Sequence, residues 1–326
     1  MKIIITGGAG FIGSHVAEKL CQKNKVIIID NLSTGRLQNI ETFKNKVSFI
    51  KADISKKTLN WVKYFKDADK VFHFAALADI VPSIQKPEDY FKSNVTGSLN
   101  ILETCRKYKI KKIVYAASSS CYGITKEVPT TEKAKIDTQY PYALTKYLGE
   151  KLIIHWSKVY KINCTSLRLF NVYGPRSRTS GTYGAMFGVF LAQKIANKPF
   201  TIVGTGNQKR DFTFVSDVVD AFIKASNYKF TGEIFNVGSG RSVSVNYIVK
   251  KLKGPKVFIK KRPGEPNITF ANITKIKKKL NWKPKVSIEK GIKIILNNYI
   301  DYWKKAPVWT PKKISKATTL WFKYLK

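Results

Sequence analysis

Three glycines, Gly7, Gly10 and Gly13, follow directly on the apolar run Ile3-Ile4-Ile5 and open onto a helical pattern that begins at Phe11. A strand that runs into closely spaced glycines and then a helix makes a bend in which the backbone itself is exposed. A pyrophosphate can approach such a bend because no side chain stands in its way, and the helix start supplies amide donors and positive potential. The segment Gly7-Gly8-Ala9-Gly10-Phe11-Ile12-Gly13 therefore predicts a dinucleotide cradle, with Gly7, Gly10, Phe11, Ile12 and Gly13 against the cofactor. Asp30 closes the next apolar run, Val26 to Ile29, about 20 residues further on, where a carboxylate accepts hydrogen bonds from both ribose hydroxyls and repels a 2′-phosphate. NAD is thus favoured over NADP, although Arg36 nearby keeps NADP open. Asn31 continues the same turn, and Asp53-Ile54 after a third apolar run is placed at the adenine edge.

The pattern repeats. Strands are predicted at Lys2–Ile5, Val26–Asp30, Val47–Ile50, Val71–Ala75, Ile113–Ala117 and Asn163–Leu169, with helices over Phe11–Gln22, Tyr90–Lys109 and Tyr142–Tyr160 between some of them. Strands that alternate with helices predict an α/β, Rossmann-type doubly wound parallel sheet, because each crossover has to pack on a face of the sheet. After Gly174 the loops carry more Gly, Pro, Ser and Arg, and the strand-like pieces Phe200–Val203, Glu233–Val237 and Lys256–Ile259 are short. Helices are expected there over Gly184–Asn197, Asp217–Ala225 and Ser244–Lys251. This divides the chain into a nucleotide-binding domain, residues 1–174, and a smaller α+β substrate-binding lobe, residues 175–326, some of whose strands can return to the main sheet. The aromatic, basic stretch from Trp303 to Lys326 is expected to pack back on the body or to serve an oligomer.

Composition excludes other classes. At 326 residues and 44% hydrophobic content the chain can bury a large core. No apolar run reaches the roughly 18 to 20 residues that span a bilayer, and the N-terminus does not read as a signal peptide, so a cytoplasmic enzyme is expected. Cys21, Cys105, Cys121 and Cys164 have no metal-site spacing, and neither a zinc site nor a disulfide framework is expected; Cys121 stands closest to the chemistry proposed below. The net charge of +38 would suit a polyanionic partner, but the lysines are spread from end to end without a nucleic-acid-binding motif. No specific nucleic-acid partner is expected, and the field serves instead to attract an anionic substrate.

The chemistry is carried by Tyr142 and Lys146, four apart in Tyr142-Ala143-Leu144-Thr145-Lys146 and so on one face of a helix. An ammonium beside a phenol lowers the phenol's pKa, which lets the phenolate accept a proton near neutrality, while the same lysine can hold the nicotinamide ribose. Upstream, the predicted strand Ile113–Ala117 runs into Ser118-Ser119-Ser120, at the end of the sheet where ligands bind. Ser118 is read as the hydroxyl that orients the reacting oxygen, with Ser119 and Ser120 toward a sugar.

These segments together resemble the extended short-chain dehydrogenase family, and within it UDP-glucose 4-epimerase and its relatives. The likeness extends through Asp30 to Gly35, His73-Phe74-Ala75-Ala76, Arg168 to Arg176, Arg210-Asp211-Phe212, Asn236-Val237-Gly238, Arg262-Pro263-Gly264-Glu265 and Leu280-Asn281-Trp282. The resemblance implies that Ala75 and Ala76 line the cofactor, that Asn94 supports its ribose or pyrophosphate region, and that Tyr173 packs by the nicotinamide. It implies that Asn171 contacts diphosphate or sugar, that Arg210 and Arg262 clamp the diphosphate, and that Glu265 meets the uridine ribose. Thr269 would stand where some 4-epimerases carry a bulky tyrosine beside the sugar's C2 substituent, leaving room for an N-acetyl group; Asp79 and Arg178 lie in segments that face the sugar, and Arg178 could pair with a uronic carboxylate. Dehydratases of the family carry Thr-Asp-Glu where this chain has Ser118-Ser119-Ser120, which disfavours loss of water. The expectation is an NAD-dependent 4-epimerase of a UDP-hexose or UDP-N-acetylhexosamine that works as a homodimer. The alternatives are a UDP-uronate 4-epimerase, a UDP-uronate decarboxylase or a dehydratase.

Overall fold

The computed structural model describes residues 1–177 and 186–325. Its first half lays down β1 (Lys2–Thr6), α1 (Phe11–Leu20), β2 (Lys25–Asp30), β3 (Val47–Lys51), the single turn α2 (Leu59–Val62), β4 (Lys70–His73), α3 (Ile80–Gln85), α4 (Pro87–Phe91), α5 (Gly97–Lys107), β5 (Lys112–Ser118), α6 (Pro141–Tyr160) and β6 (Cys164–Leu169). Then come β7 (Asn171–Tyr173), α7 (Met186–Ile195), β8 (Phe200–Val203), β9 (Lys209–Phe214), α8 (Val215–Ser226), β10 (Glu233–Val237), β11 (Ser242–Ser244), α9 (Val245–Leu252) and β12 (Lys256–Ile259). The chain continues through α10 (Thr274–Leu280), α11 (Ile288–Asn298), α12 (Pro311–Ala317) and α13 (Thr319–Tyr324).

Seven strands form the main sheet in the order β10-β6-β5-β4-β1-β2-β3, each parallel to its neighbours. Its apolar runs are continuous because both faces are covered. Ile3, Ile5, Val26 and Ile28 enter the core on one face, and Ile4, Ile27 and Ile29 the core on the other, following the period of two along a strand. Each such side chain, fully buried, contributes roughly 1.5–3 kcal/mol. Strand order reverses between β1 and β4, so the loops leaving their carboxyl ends diverge and open a crevice.

The expected α/β doubly wound sheet is thus what the chain forms, and β10 returns from the second half to pair with β6. Two differences bear on the site. The helix expected over Tyr90–Lys109 is broken: α4 passes through one π turn, Lys92–Thr96, before α5. The lobe holds a small sheet that the periodicity did not disclose, with β9 between β11 and β7, while the expected strands Phe200–Val203 and Lys256–Ile259 form a separate parallel pair, β8 and β12. The tail packs back on this lobe, where Trp303, Ile314 and Trp321 join its core. Among the described residues no helix is long and apolar enough to cross a membrane.

Candidate active site

The crevice is a cleft of about 600 Å³ that runs from the β1–α1 bend across the sheet to the lobe. At one end Gly7 adopts a φ of +70°, and a Cβ there would come within 2.6 Å of the Ala75 backbone nitrogen. A Cβ on Gly13 would come within 2.3 Å of the Gly7 carbonyl oxygen, so α1 can lie close to β1 only with glycine at this position. Gly10 starts α1 in extended conformation, and the first turn of the helix holds no acidic residue to cancel its positive end. Gly7, Gly10, Phe11, Ile12 and Gly13 all line the cleft, as do Asn31, Asp53, Ile54, Ala75 and Ala76.

Asp30 stands at the carboxyl end of β2, buried, and accepts hydrogen bonds from the amides of Ala9 (3.0 Å) and Leu32 (2.8 Å). Burial raises its pKa, and the two amide bonds pull it back down. The carboxylate therefore ties the glycine bend to the β2 turn at the position where a ribose would lie. This cradle, with its side-chain-free bend, helix start and ribose-side carboxylate, fits a dinucleotide.

Two expected cofactor contacts are not brought to the cleft. Tyr173 is buried in the lobe core, its ring stacked on Phe187 at 4.6 Å and met edge-on by Phe214 at 5.3 Å. Aromatic packing across the β7–β9 sheet holds it there. Asn94 is fully buried in the π turn. Its side chain accepts from the Leu77 amide (2.8 Å) and donates to the Leu77 carbonyl (3.0 Å) and to Thr145 Oγ1 (3.1 Å). Asn94 thereby pins the Ala75–Ala76 loop to α6 rather than touching the cleft. The extra residue of a π turn redirects side chains inside a helix, and such turns recur at functional sites.

Ser118 ends β5, and its Oγ meets three neighbours: it accepts from the Ser120 amide (3.2 Å), pairs with Ser120 Oγ (2.8 Å) and accepts from the Tyr142 hydroxyl (3.2 Å). Tyr142 and Lys146 lie in the first turns of α6, just after Pro141, and both reach the cleft with Ser118, Ser119 and Ser120. The electrostatics differ from the expectation. Burial pushes the Tyr142 phenol up, and what opposes the rise is hydrogen bonding with the serines rather than the Lys146 charge. Lys146 is itself pushed down to about 7 by burial, with Glu150 pulling the other way. Cys121, beside this group, is buried, with its thiol pushed up to about 12, and does not line the cleft.

At the far end of the cleft stand Arg210 from β9 and the loop Arg262–Glu265. Arg262 Nε lies 3.0 Å from the Glu265 carboxylate and Arg210 Nη2 3.9 Å, so one acid sits between two guanidiniums. Asn171 Oδ1 accepts from Thr269 Oγ1 at 3.1 Å, and Asp79 also lines the cleft. Arg178 lies outside the described residues.

Other residues at the site were given no role by the sequence. Phe74 and Tyr140 line the cleft, and Trp321 closes it from α13. Asp211 is the centre of Arg210-Asp211-Phe212. Buried, with a pKa raised to about 6, it accepts from the amides of Ser239, Gly240 and Ala271 and from Ser239 Oγ. It thus ties two separate segments, Ser239–Gly240 and the one at Ala271, to β9 beside its neighbour Arg210.

A dinucleotide cradle at the switch point of a parallel sheet, flanked by a Tyr–Lys helix and a serine at a strand end, defines an enzyme of the short-chain dehydrogenase type. The model of the NAD dependent epimerase/dehydratase family matches residues 3–238. A UDP-glucose 4-epimerase of Thermotoga maritima, solved with UDP-glucose, superimposes with a TM-score of 0.86 at 35% identity over 94% of this chain and 99% of its own. A UDP-N-acetylglucosamine 4-epimerase of Methanobrevibacter ruminantium gives 0.85 at 31% over 93% and 97%. A UDP-glucuronate 4-epimerase of Thermodesulfobacterium geofontis is 33% identical over 95% of this chain and 98% of its own. The chain belongs to the NAD-dependent epimerase/dehydratase family. It is an epimerase of the extended short-chain dehydrogenase type, an isomerase that uses NAD.

Proposed function

We propose that the protein inverts C4 of a UDP-hexose or UDP-N-acetylhexosamine. The observation that carries this reading is the Tyr142–Ser118 hydrogen bond, set between the dinucleotide cradle and the arginine pair. Tyr142, in its ionised phenolate form, takes the proton of the sugar's C4 hydroxyl, and Ser118 holds the same sugar oxygen as it becomes a ketone. A bound NAD would supply a hydride acceptor at C4 that also serves as the donor to the opposite face of the sugar, so the reaction would involve no net oxidation. Arg210 and Arg262 hold the diphosphate throughout, which leaves the hexose free to turn while the nucleotide stays in place. Tyr142 then returns the proton to the new hydroxyl. Gly7, Gly10, Gly13, Asp30 and Lys146 are the residues assigned to the cofactor.

The serine run offers no carboxylic acid to remove water across C5 and C6, which favours epimerisation over dehydration. Thr269, short and bonded to Asn171, favours a cavity that accepts an N-acetyl group. A homodimer formed by pairing α5 and α6 with a second copy belongs to the same reading, supported by the exposed Leu144, Val159 and Tyr160 on α6. A mass in solution near 37.0 kDa rather than about twice that would remove it.

The deciding experiment incubates the purified protein and NAD with UDP-glucose, UDP-N-acetylglucosamine and UDP-glucuronate separately and resolves the products by NMR. Equilibration of the C4 epimers of either of the first two is expected. Release of carbon dioxide, accumulation of a 4-keto product, or turnover of the uronate alone would replace the proposal.

A further inference from the structure

Four flat groups follow one another along the wall of the cleft. The rings of Tyr142 and Tyr140 are parallel within 5°, their centroids 6.4 Å apart. Tyr140 meets Trp321 at 6.2 Å. The Arg262 guanidinium lies over the Trp321 ring, 5.1 Å from its centroid. Trp321 is 2% exposed, and its Nε1–H donates to the Pro263 carbonyl at 2.8 Å, which fixes the plane of the indole against the loop that carries Arg262. The next residue on α13 is held to the same loop, with Lys260 Nζ 4.9 Å from the Phe322 ring. This wall reaches from the proton-transferring phenol to the arginine pair, and its middle member comes from the tail of the chain.

A guanidinium stacks through its face and hydrogen-bonds through its in-plane edge, so an indole beneath it does not compete with acceptors around it. The indole plane instead dictates where that edge points. Arg262 already has its Nε 3.0 Å from a Glu265 carboxylate oxygen, an ion pair without an aligned N–H···O bond. We infer that Trp321 is a positioning residue for nucleoside diphosphate binding: the tail helix α13 orients Arg262 toward the diphosphate and, through Tyr140, backs the ring of Tyr142. The inference rests on the nucleotide-sugar reading above and assigns to the tail a part in the binding site.

The test is a double-mutant cycle read by calorimetric titration with UDP, which needs no turnover. Trp321→Leu keeps the position apolar and removes the π face; Trp321→Phe keeps a smaller one; Arg262→Met removes the guanidinium. Trp321→Leu is expected to weaken UDP binding about 10-fold, within the range of a desolvated cation–π contact. It should raise KM for the nucleotide sugar in proportion while kcat stays within about 3-fold and NAD remains bound. Trp321→Phe should recover most of the loss. In the Arg262→Met background Trp321→Leu should have no further effect on UDP affinity. Equal UDP affinity in wild type and Trp321→Leu, or a loss that persists undiminished without Arg262, overturns the inference. A wild-type protein that binds no UDP overturns the nucleotide-sugar reading instead.

Discussion

The Lys146 ammonium lies over the ring of Tyr115, its nitrogen 4.2 Å from the ring centroid, on the buried side of α6. Burial disfavours the charged form and brings Lys146 down to about 7, against the pull of Glu150. The consequence for stability has a definite sign. Between about pH 7 and the ordinary lysine value near 10.4, the unfolded chain holds a proton that the folded chain has released. Stability therefore rises with pH through this window, by at most about 1.4 kcal/mol per pH unit. Lys112, brought down to about 8 by burial, acts in the same direction. The contribution of Lys146 is the difference between wild type and Lys146→Met in urea-denaturation midpoints of nucleotide-free protein at pH 6, 8 and 9.5. Parallel pH profiles for the two proteins would contradict the assignment.

Tyr142→Phe removes the phenolic oxygen assigned to take the substrate proton. Loss of a positioned proton acceptor costs about 10²- to 10⁴-fold. Turnover should fall by that order, with NAD still bound and the melting temperature little changed, as judged by NMR of the products and absorbance of the bound nucleotide. Ser118→Ala should cost less, because it leaves the proton acceptor in place. Wild-type epimerisation by Tyr142→Phe would remove the mechanism.

Asp30→Ala deletes the acceptor of the Ala9 and Leu32 amides as well as the carboxylate assigned to the ribose. Hydrogen bonds to a charged acceptor contribute about 1.5–3 kcal/mol, so NAD affinity should drop roughly 10- to 100-fold. Discrimination against NADP should narrow at the same time, since no negative charge then faces a 2′-phosphate. Fluorescence titration with NADH and NADPH measures both, and an unchanged ratio of the two affinities would count against the ribose contact.

Glu150→Ala leaves the Arg168 guanidinium buried without its carboxylate. The pair is closed at 2.6 Å, with both side chains at most 4% exposed, and Ser166 adds a 2.9 Å bond to the same acid. Breaking a buried pair from one side costs about 3–5 kcal/mol. The denaturation midpoint should fall accordingly. A change smaller than about 1 kcal/mol would mean that Arg168 finds another partner or water.

Legibility followed the range of the interactions involved. Gly7, Gly10, Gly13 and Asp30 could be read because a strand, a bend and a helix adjacent in sequence make the cradle, and the required residue types are dictated locally. Tyr142 and Lys146 could be read because a helix brings residues four apart to one face. Tyr173 looked like a cofactor neighbour and is instead enclosed by Phe187 and Phe214, which reach it from other elements. The break at Lys92–Thr96 was hidden because a π turn preserves the apolar spacing of a helix to within one residue.

What the sequence alone determined, then, is the parallel sheet, the glycine bend after β1 and the helix face shared by Tyr142 and Lys146, all set by periodicity and short spacing. Tertiary structure decided which side chains share the cleft with them. It brought Ser239 and Ala271 to Asp211, moved Asn94 behind the Ala75 loop and carried Trp321 to Arg262. The physical reason is that contacts between residues far apart along the chain depend on how whole elements pack, and no local pattern records that.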